Sequence, residues 1–183
     1  MYSSSFDNMY FLASKFNYFT LEGIPWLALA WVSVFSFRSI ATWIHEIGHL
    51  LPTYFFTQGL IEVSVGDGFF YQKKVGRCTF NFSFKSPMTG YVGYEEQDLS
   101  RKKRILILLG GPLASFTALL ATFYVVNAFD LVQWMEVLCV GFLCANLLCF
   151  LRSILPLNLQ ASSAFPQGIP SDTLQVLQLA KKK

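Results

Sequence analysis

The chain has 183 residues, of which 54% are hydrophobic and 14% are charged, and its net charge is +3. Soluble domains usually carry about 25% charged residues, so this composition excludes a disordered chain, a collagen-like chain and a highly charged nucleic-acid-binding protein, and it favours a membrane protein. The length suits one domain or a small helical membrane bundle, and we expect residues 1–183 to form a single membrane-embedded domain.

The first apolar run extends from Ile24 to Leu51 and is interrupted by Arg38, His45 and Glu46. It is longer than the roughly 20 residues that a helix needs to cross a bilayer. Residues 1–23 lack the basic start, the short apolar core and the small-residue cleavage site of a signal peptide. The run therefore predicts a first transmembrane helix that is retained.

The next segment has the alternation that is typical of β-strands. Residues 61–65 alternate between apolar and polar side chains, and so do residues 78–84. The Gly-Asp-Gly sequence at 66–68 is a turn signal. These patterns predict a membrane-associated β-hairpin or small sheet within residues 60–94. Its apolar face would pack on the helices or on lipid, or else an edge strand would pair with an extended substrate.

Two further apolar runs, at residues 105–126 and 131–151, predict a second and a third transmembrane helix. Residues 155–170 are rich in Pro, Ser and Gln and predict an irregular segment. Ser171 is a candidate helix cap, and the helix that follows is expected to end near Ala180. The predicted fold is therefore mainly α, with about three transmembrane helices, a small β-hairpin or sheet between the first two, and a short C-terminal helix.

Basic residues predict the orientation of this bundle. The loop over residues 52–104 holds eight of the 14 basic residues, whereas the opposite side holds only Lys15. By the positive-inside rule, the loop, the C-terminus and the end of the first helix face the cytoplasm or an equivalent compartment such as the stroma. The basic cluster at 101–104 is interpreted as a topology anchor, and no nucleic-acid partner is expected. The prediction is a multi-pass integral membrane protein whose environment is a lipid bilayer.

The most informative motif is His45-Glu46-Ile47-Gly48-His49, which contains both histidines of the chain. Residues four apart lie on one face of a helix, so the two imidazoles can bind one Zn²⁺ ion. Glu46 projects beside them and can take a proton from zinc-bound water, as in the H-E-x-x-H metalloproteases. Ionisable residues near the end of a membrane helix are expensive to bury unless they are paired or functional. The motif predicts a metal site.

The third ligand is not defined by the spacing alone. Catalytic zinc sites use three protein ligands and keep one position open. Because no third histidine exists, the ligand is expected to be a carboxylate or a cysteine. The acidic candidates are Asp67, Asp98, Asp130, Glu136 and Asp172. Asp130 and Glu136 belong to the far side of the predicted bundle, whereas Asp172 lies on the same side as the histidines.

The order of motifs resembles the site-2 protease family of intramembrane zinc metalloproteases. The resemblance covers residues 24–175 and rests on four features. These are His45 to His49 at the end of the first span, Pro87-Met88-Thr89-Gly90-Tyr91-Val92, Gly110-Gly111-Pro112-Leu113-Ala114-Ser115, and Asn146-Leu147-Leu148 followed by Ser171-Asp172. The resemblance implies that Asp172 is the third zinc ligand, that Glu46 is the general base and that Asn146 helps to position the substrate. A regulatory PDZ-like domain does not fit within the chain.

The resemblance implies an intramembrane zinc endopeptidase that hydrolyses peptide bonds of membrane-embedded or membrane-associated substrates. The chain departs from the family pattern at Ser115, which replaces Asn, at Cys149, which replaces Pro, and at Thr173, which replaces Gly. These departures motivate an alternative, a non-proteolytic relative that serves as a subunit or assembly partner of a membrane complex. A prenyl-protein endopeptidase would need more spans and a downstream Glu motif, which we do not find.

Overall fold

A computed structural model describes residues 23–68, 70–86, 88–95, 99–159 and 167–181. Its elements, in chain order, are α1 (Ile24–Phe56), β1 (Ile61–Val65), β2 (Tyr71–Val75), β3 (Cys78–Phe82), β4 (Gly90–Gly93), α2 (Arg101–Ala128), α3 (Gln133–Ile154), β5 (Asn158–Leu159), β6 (Ile169–Pro170) and α4 (Asp172–Lys181). The expectations for residues 1–22 and for Pro87 and Asp98 concern positions outside the described residues.

The three long helices confirm the three predicted apolar helices, and each is long and apolar enough to cross a membrane. They extend past the predicted limits. The first continues to Phe56, and the second begins with the basic residues at Arg101. An apolar run in the sequence indicates only the hydrophobic part of a helix, whereas the helical backbone hydrogen bonds continue into the polar flanking residues. Pro112 stands inside α2 without ending it, although the ring removes one backbone donor.

Glycine lets α1 and α2 pack with their backbones in contact. A Cβ atom added to Gly48 would overlap the backbone carbonyl of Gly110, and a Cβ added to Gly110 would overlap that of Gly48. On the other side of α1, a Cβ at Gly141 of α3 would overlap the side chain of Ser33. Small residues at such crossings permit close approach of apolar helices. The histidine-bearing part of α1 is therefore held directly against α2.

The segment between α1 and α2 forms a four-stranded sheet in the order β2-β3-β1-β4. The prediction of a hairpin or small sheet is confirmed as a sheet. The two alternating segments pair parallel to each other, with Ile61 opposite Cys78, so they do not form a hairpin together. Strand β2 lies between them in sequence and makes the hairpin with β3. Because β2 is exposed along its whole length, it lacks the alternation that would have predicted it.

The sheet packs its apolar face on α1. The side chains of Ile61, Val63 and Cys78 are buried and contact Trp43 and other half-buried apolar residues, among them Leu50, Phe80 and Val92. Central strand β1 is thereby fixed against the helix, and its antiparallel partner β4 lies beside it. The packing places β4 over the part of α1 that carries the histidines.

The C-terminal segment returns the chain to the end of α3. Strands β5 and β6 pair antiparallel. The prediction of an irregular segment is therefore wrong for residues 158–159 and 169–170, and residues 160–166 lie outside the described part. Ser171 is 1% exposed and donates a hydrogen bond to the Leu155 carbonyl at 2.6 Å. Its hydroxyl also accepts the Leu174 amide at 3.4 Å, as expected for a cap. Helix α4 therefore begins at the predicted position, with Asp172 as its first residue.

Candidate metal centre

The two histidines lie one turn apart on the buried face of α1. Each is 7% exposed, and their Nε2 atoms are 3.1 Å apart. This convergence follows from the helical spacing, because side chains four residues apart project from the same face. The local sequence thus accounts for two ligand atoms that face one point.

Asp172 approaches both imidazoles from the start of α4. Its Oδ2 lies 3.1 Å from Nε2 of His45, and its Oδ1 lies 3.5 Å from Nε2 of His49. Although 127 positions separate Asp172 from His45 in sequence, the ligand atoms of the three residues all lie within 4.8 Å of one another. Among the described residues, this group could hold a metal ion.

The distances between the candidate ligand atoms are close to those of a small tetrahedral cation site. Bonds of about 2.0–2.1 Å give a tetrahedron with edges of about 3.3 Å. The two Nε2 atoms are 3.1 Å apart, Oδ2 of Asp172 is 3.1 Å from Nε2 of His45, and Oδ1 is 3.5 Å from Nε2 of His49. A Cβ atom at Gly111 would overlap Nε2 of His49 and would also crowd Nε2 of His45. The glycine therefore leaves space beside the nitrogen atoms. Two imidazoles and a carboxylate with one open position are a donor set typical of catalytic zinc.

Hydrogen bonds orient each candidate ligand. Nδ1 of His49 donates to the Ile107 carbonyl at 2.7 Å, which directs Nε2 toward the cavity. The Gly111 amide also approaches this Nδ1, at the longer distance of 3.3 Å. Nδ1 of His45 contacts the hydroxyl of the fully buried Ser115 at 3.1 Å. Both rings are thus held by α2.

The carboxylate of Asp172 is held in its ionised form. Burial by itself would raise its pKa, but hydrogen bonds from His45 and His49, together with their charges, hold the pKa of this carboxyl well below its usual range. The Ser153 hydroxyl donates to Oδ2 at 2.7 Å and adds a further bond to the charged form. A carboxylate in this position can serve as an oxygen ligand for a cation.

Glu46 lies beside this group and is 5% exposed. A Cβ atom at Gly90, the first residue of β4, would overlap Oε1 of Glu46. Strand β4 therefore packs directly against the Glu46 carboxylate, at a position where a side chain larger than that of glycine would not fit. Glu46 and the three candidate ligands line one cavity of about 420 Å³. Its walls are formed by β4, the end of α3 and residues 169–172.

The other candidates of the sequence analysis lie outside this group. Asn146 is fully buried, donates to the Phe142 carbonyl at 3.0 Å and does not line the cavity. Its Oδ1 has no hydrogen-bond partner among the described residues. Asp67, Asp130 and Glu136 do not belong to the group that could hold a metal.

The contacts of Ser115 and Ser153 with the candidate ligands were not predicted, since Ser115 was noted only as a departure from the family pattern. Each serine contacts a candidate ligand, and each is a buried polar residue in a mainly apolar helix. A polar residue within an apolar helix is a usable signal for such a role. A buried serine does not by itself identify the residue that it contacts, because Ser115 and Ser153 each contact a residue of another helix.

No protein-family model matches the chain, and no curated protein matches it.

Proposed function

We propose that this protein is an intramembrane zinc metalloendopeptidase. The observation that carries the proposal is the convergence of His45, His49 and Asp172 in the cavity that Glu46 also lines. Two imidazoles, one carboxylate and an adjacent second carboxylate are the parts that zinc-dependent hydrolysis of a peptide bond requires. The resemblance of the motifs to the site-2 protease family supports the same function.

In this proposal His45, His49 and Asp172 hold the zinc ion, which activates water and polarises the substrate carbonyl when it is bound. Glu46 accepts the proton of the attacking water and then gives it to the leaving amine. The oxygen of water becomes part of the new carboxylate as the C–N bond breaks. Burial of Glu46 beneath Gly90 keeps its carboxylate at the site where this proton is handled.

Strand β4 is the proposed binding edge for the substrate backbone. Among the described strands it pairs with β1 alone, and residues 90–93 line the cavity. An extended peptide can add to such an edge through main-chain hydrogen bonds. A substrate helix would therefore unwind locally before its peptide bond reaches Glu46.

The proposal places the three long helices across a lipid bilayer. Many large apolar side chains, such as Trp31, Val32 and Phe35, are more than half exposed on the helices, as expected for a surface that faces lipid. The basic residues 101–104 precede Ile107 and Gly111 of the site by one to two turns. With the positive-inside rule, this proximity supports a site near the cytoplasmic face or its equivalent.

The test is cleavage of labelled apolar peptides by the purified full-length protein with zinc. Glu46→Gln is expected to abolish turnover. Glu136→Gln is expected to preserve it, because Glu136 lies in the first turn of α3, at the end of that helix that is farther from the cavity. Equal turnover by the parent protein and the Glu46→Gln variant would refute the proposal. Zinc retention without any Glu46-dependent cleavage would instead support a non-proteolytic subunit of a membrane complex.

Metal content tests the ligand set separately. His49→Ala and Asp172→Ala are each expected to lower the zinc that remains bound after dialysis, because each removes one ligand atom. Asp67→Ala, outside the group, serves as the control. Unchanged zinc in the Asp172→Ala protein would refute the role of Asp172 as a ligand.

A further inference from the structure

Arg152 introduces a positive charge into the cavity. It lies in the last turn of α3, next to Ser153, and it lines the cavity together with the candidate metal ligands. Among the described lining residues it is the one lysine or arginine. Neither the candidate metal group nor the proton transfer assigned to Glu46 uses this side chain.

Among the described residues, the hydrogen-bond acceptor of Arg152 is a neutral carbonyl. Its Nη1 donates to the carbonyl of Met88, two residues before β4. Asp172 pairs with the two histidines, and Arg152 forms no ion pair with a described residue. Glu46 lies within electrostatic range of Arg152, but no ion pair joins them. One neutral carbonyl engages one of the five donors of the guanidinium group.

A half-buried guanidinium with free donors is a binding group for a planar anion. A carboxylate matches its two parallel N–H groups and compensates its charge, whereas a neutral amide oxygen does not. Both oxygens of Asp172 already face the histidines, and Oδ2 also accepts the Ser153 hydroxyl. Among the described carboxylates that line the cavity, neither Glu46 nor Asp172 forms an ion pair with Arg152, so a ligand that enters the cavity can supply the matching carboxylate.

We propose that Arg152 is a specificity-determining residue that binds a carboxylate of the peptide substrate. The bond to Met88 holds the guanidinium at the end of β4 where the strand begins, so a peptide that pairs with β4 passes beside it. The inference rests on the proposed function, because it assumes that the cavity receives a peptide. The carboxylate belongs either to an acidic side chain near the scissile bond or to a free C-terminus.

Peptide binding to a full-length Glu46→Gln protein tests the inference without requiring cleavage. The probes are fluorescent apolar peptides of one length in three forms. One form has a single Glu and an amidated C-terminus, one has Gln and an amidated C-terminus, and one has Gln and a free C-terminal carboxylate. The Glu is moved through successive positions of the peptide. Fluorescence anisotropy gives the Kd of each.

We expect at least one carboxylate-bearing form to bind about tenfold more tightly than the neutral form, as charge-assisted hydrogen bonds allow. Preference for the Glu peptide would identify an acidic side chain, and preference for the free acid would identify a C-terminus. Arg152→Gln, made in the Glu46→Gln protein, should remove the preference, and Arg152→Lys should retain part of it. Arg101→Gln is the matched control, because Arg101 also donates to a backbone carbonyl, that of Ala180, but lies outside the cavity.

Equal affinity of the Glu46→Gln protein for all three forms would overturn the inference. So would a preference that survives Arg152→Gln. A purely structural role for the bond to Met88 predicts that Arg152→Gln weakens all peptides by the same factor and leaves their ratio unchanged. Because these Kd values do not depend on turnover, failure of the parent protein to cleave peptides would count against the proposed function alone.

Discussion

The hydroxyl of Ser153 donates a 2.7 Å hydrogen bond to Oδ2 of Asp172, so the end of α3 holds the carboxylate that approaches both histidines. Ser153 is 4% exposed and belongs to a different helix from the three candidate ligands. This contact joins the C-terminal segment to the bundle at the candidate metal centre. Partners that orient a metal ligand in this way contribute to metal affinity.

Ser153→Ala is therefore expected to weaken zinc binding by about 10–100-fold, the usual effect of removing an orienting partner. Competition with a chromophoric chelator measures the affinity. Ser33→Ala is the control, because Ser33 is equally buried but bonds to the Ala30 carbonyl at the opposite end of α1. An unchanged zinc affinity in Ser153→Ala would show that the hydroxyl does not hold the ligand.

Gly111→Ala should eliminate zinc retention while leaving the helices formed. The added Cβ would occupy the space beside Nε2 of His49 and Nε2 of His45, and in the proposed site both nitrogen atoms face the zinc ion. Metal analysis after dialysis and far-ultraviolet circular dichroism measure the two properties. In the control Gly93→Ala, the nearest atom to the new Cβ is 3.6 Å away, an ordinary contact. Full zinc content in Gly111→Ala would contradict the assigned geometry.

Arg77 is expected to stabilise the end of α1. Its guanidinium donates to the carbonyls of Tyr54 and Thr57 and lies 4.2 Å from the centroid of the Tyr54 ring. A cation at a helix C-terminus satisfies carbonyls that lack helical partners. Arg77→Gln should lower the free energy of unfolding by about 1–3 kcal/mol, measured by denaturant titration in detergent micelles. Lys74→Gln, an exposed change on β2, should have little effect. Equal effects of the Arg77 and Lys74 substitutions would argue against a stabilising role of Arg77 at the end of α1.

The pKa of Tyr91 should report on the pairing of β1 with β4. Burial and the hydrogen bond of its hydroxyl to Glu62, at 2.9 Å, raise the pKa of Tyr91 to about 12. Because the raised pKa favours the neutral phenol, the stabilisation is present below the ordinary value of about 10 and is lost as the pH rises toward 12. Absorbance titration of the parent protein minus that of Tyr91→Phe isolates this group.

Glu62→Gln should lower the pKa of Tyr91, since the negative charge is removed, but leave it above the ordinary value because the burial remains. The same difference titration in the Glu62→Gln background measures the change. Glu136→Gln provides a comparison, because it removes a carboxylate from the first turn of α3 and not from the sheet. A Tyr91 pKa that is identical with and without the Glu62 charge would contradict the contact between the Tyr91 hydroxyl and Glu62.

Much of the fold follows from periodicity along the chain. The apolar runs predict the three long helices because their continuous hydrophobicity is a local property. The alternation of residues 61–65 predicts strand β1, since its buried side chains recur every second residue. Strand β2 was not predicted, because its residues are all exposed and show no alternation of apolar and polar side chains. Its position depends on pairing with β3.

By itself the sequence determined the helical face that His45, Glu46 and His49 share, and the start of a short helix at Asp172, because helical spacing and capping act over a few residues. Only the tertiary structure decided that Asp172 meets the histidines, that Ser115 and Ser153 hold the ligands, and that Arg152 faces the same cavity. These contacts join residues up to 127 positions apart. They depend on how close glycines let the helices approach and on where β5 and β6 return the chain, which no local pattern encodes.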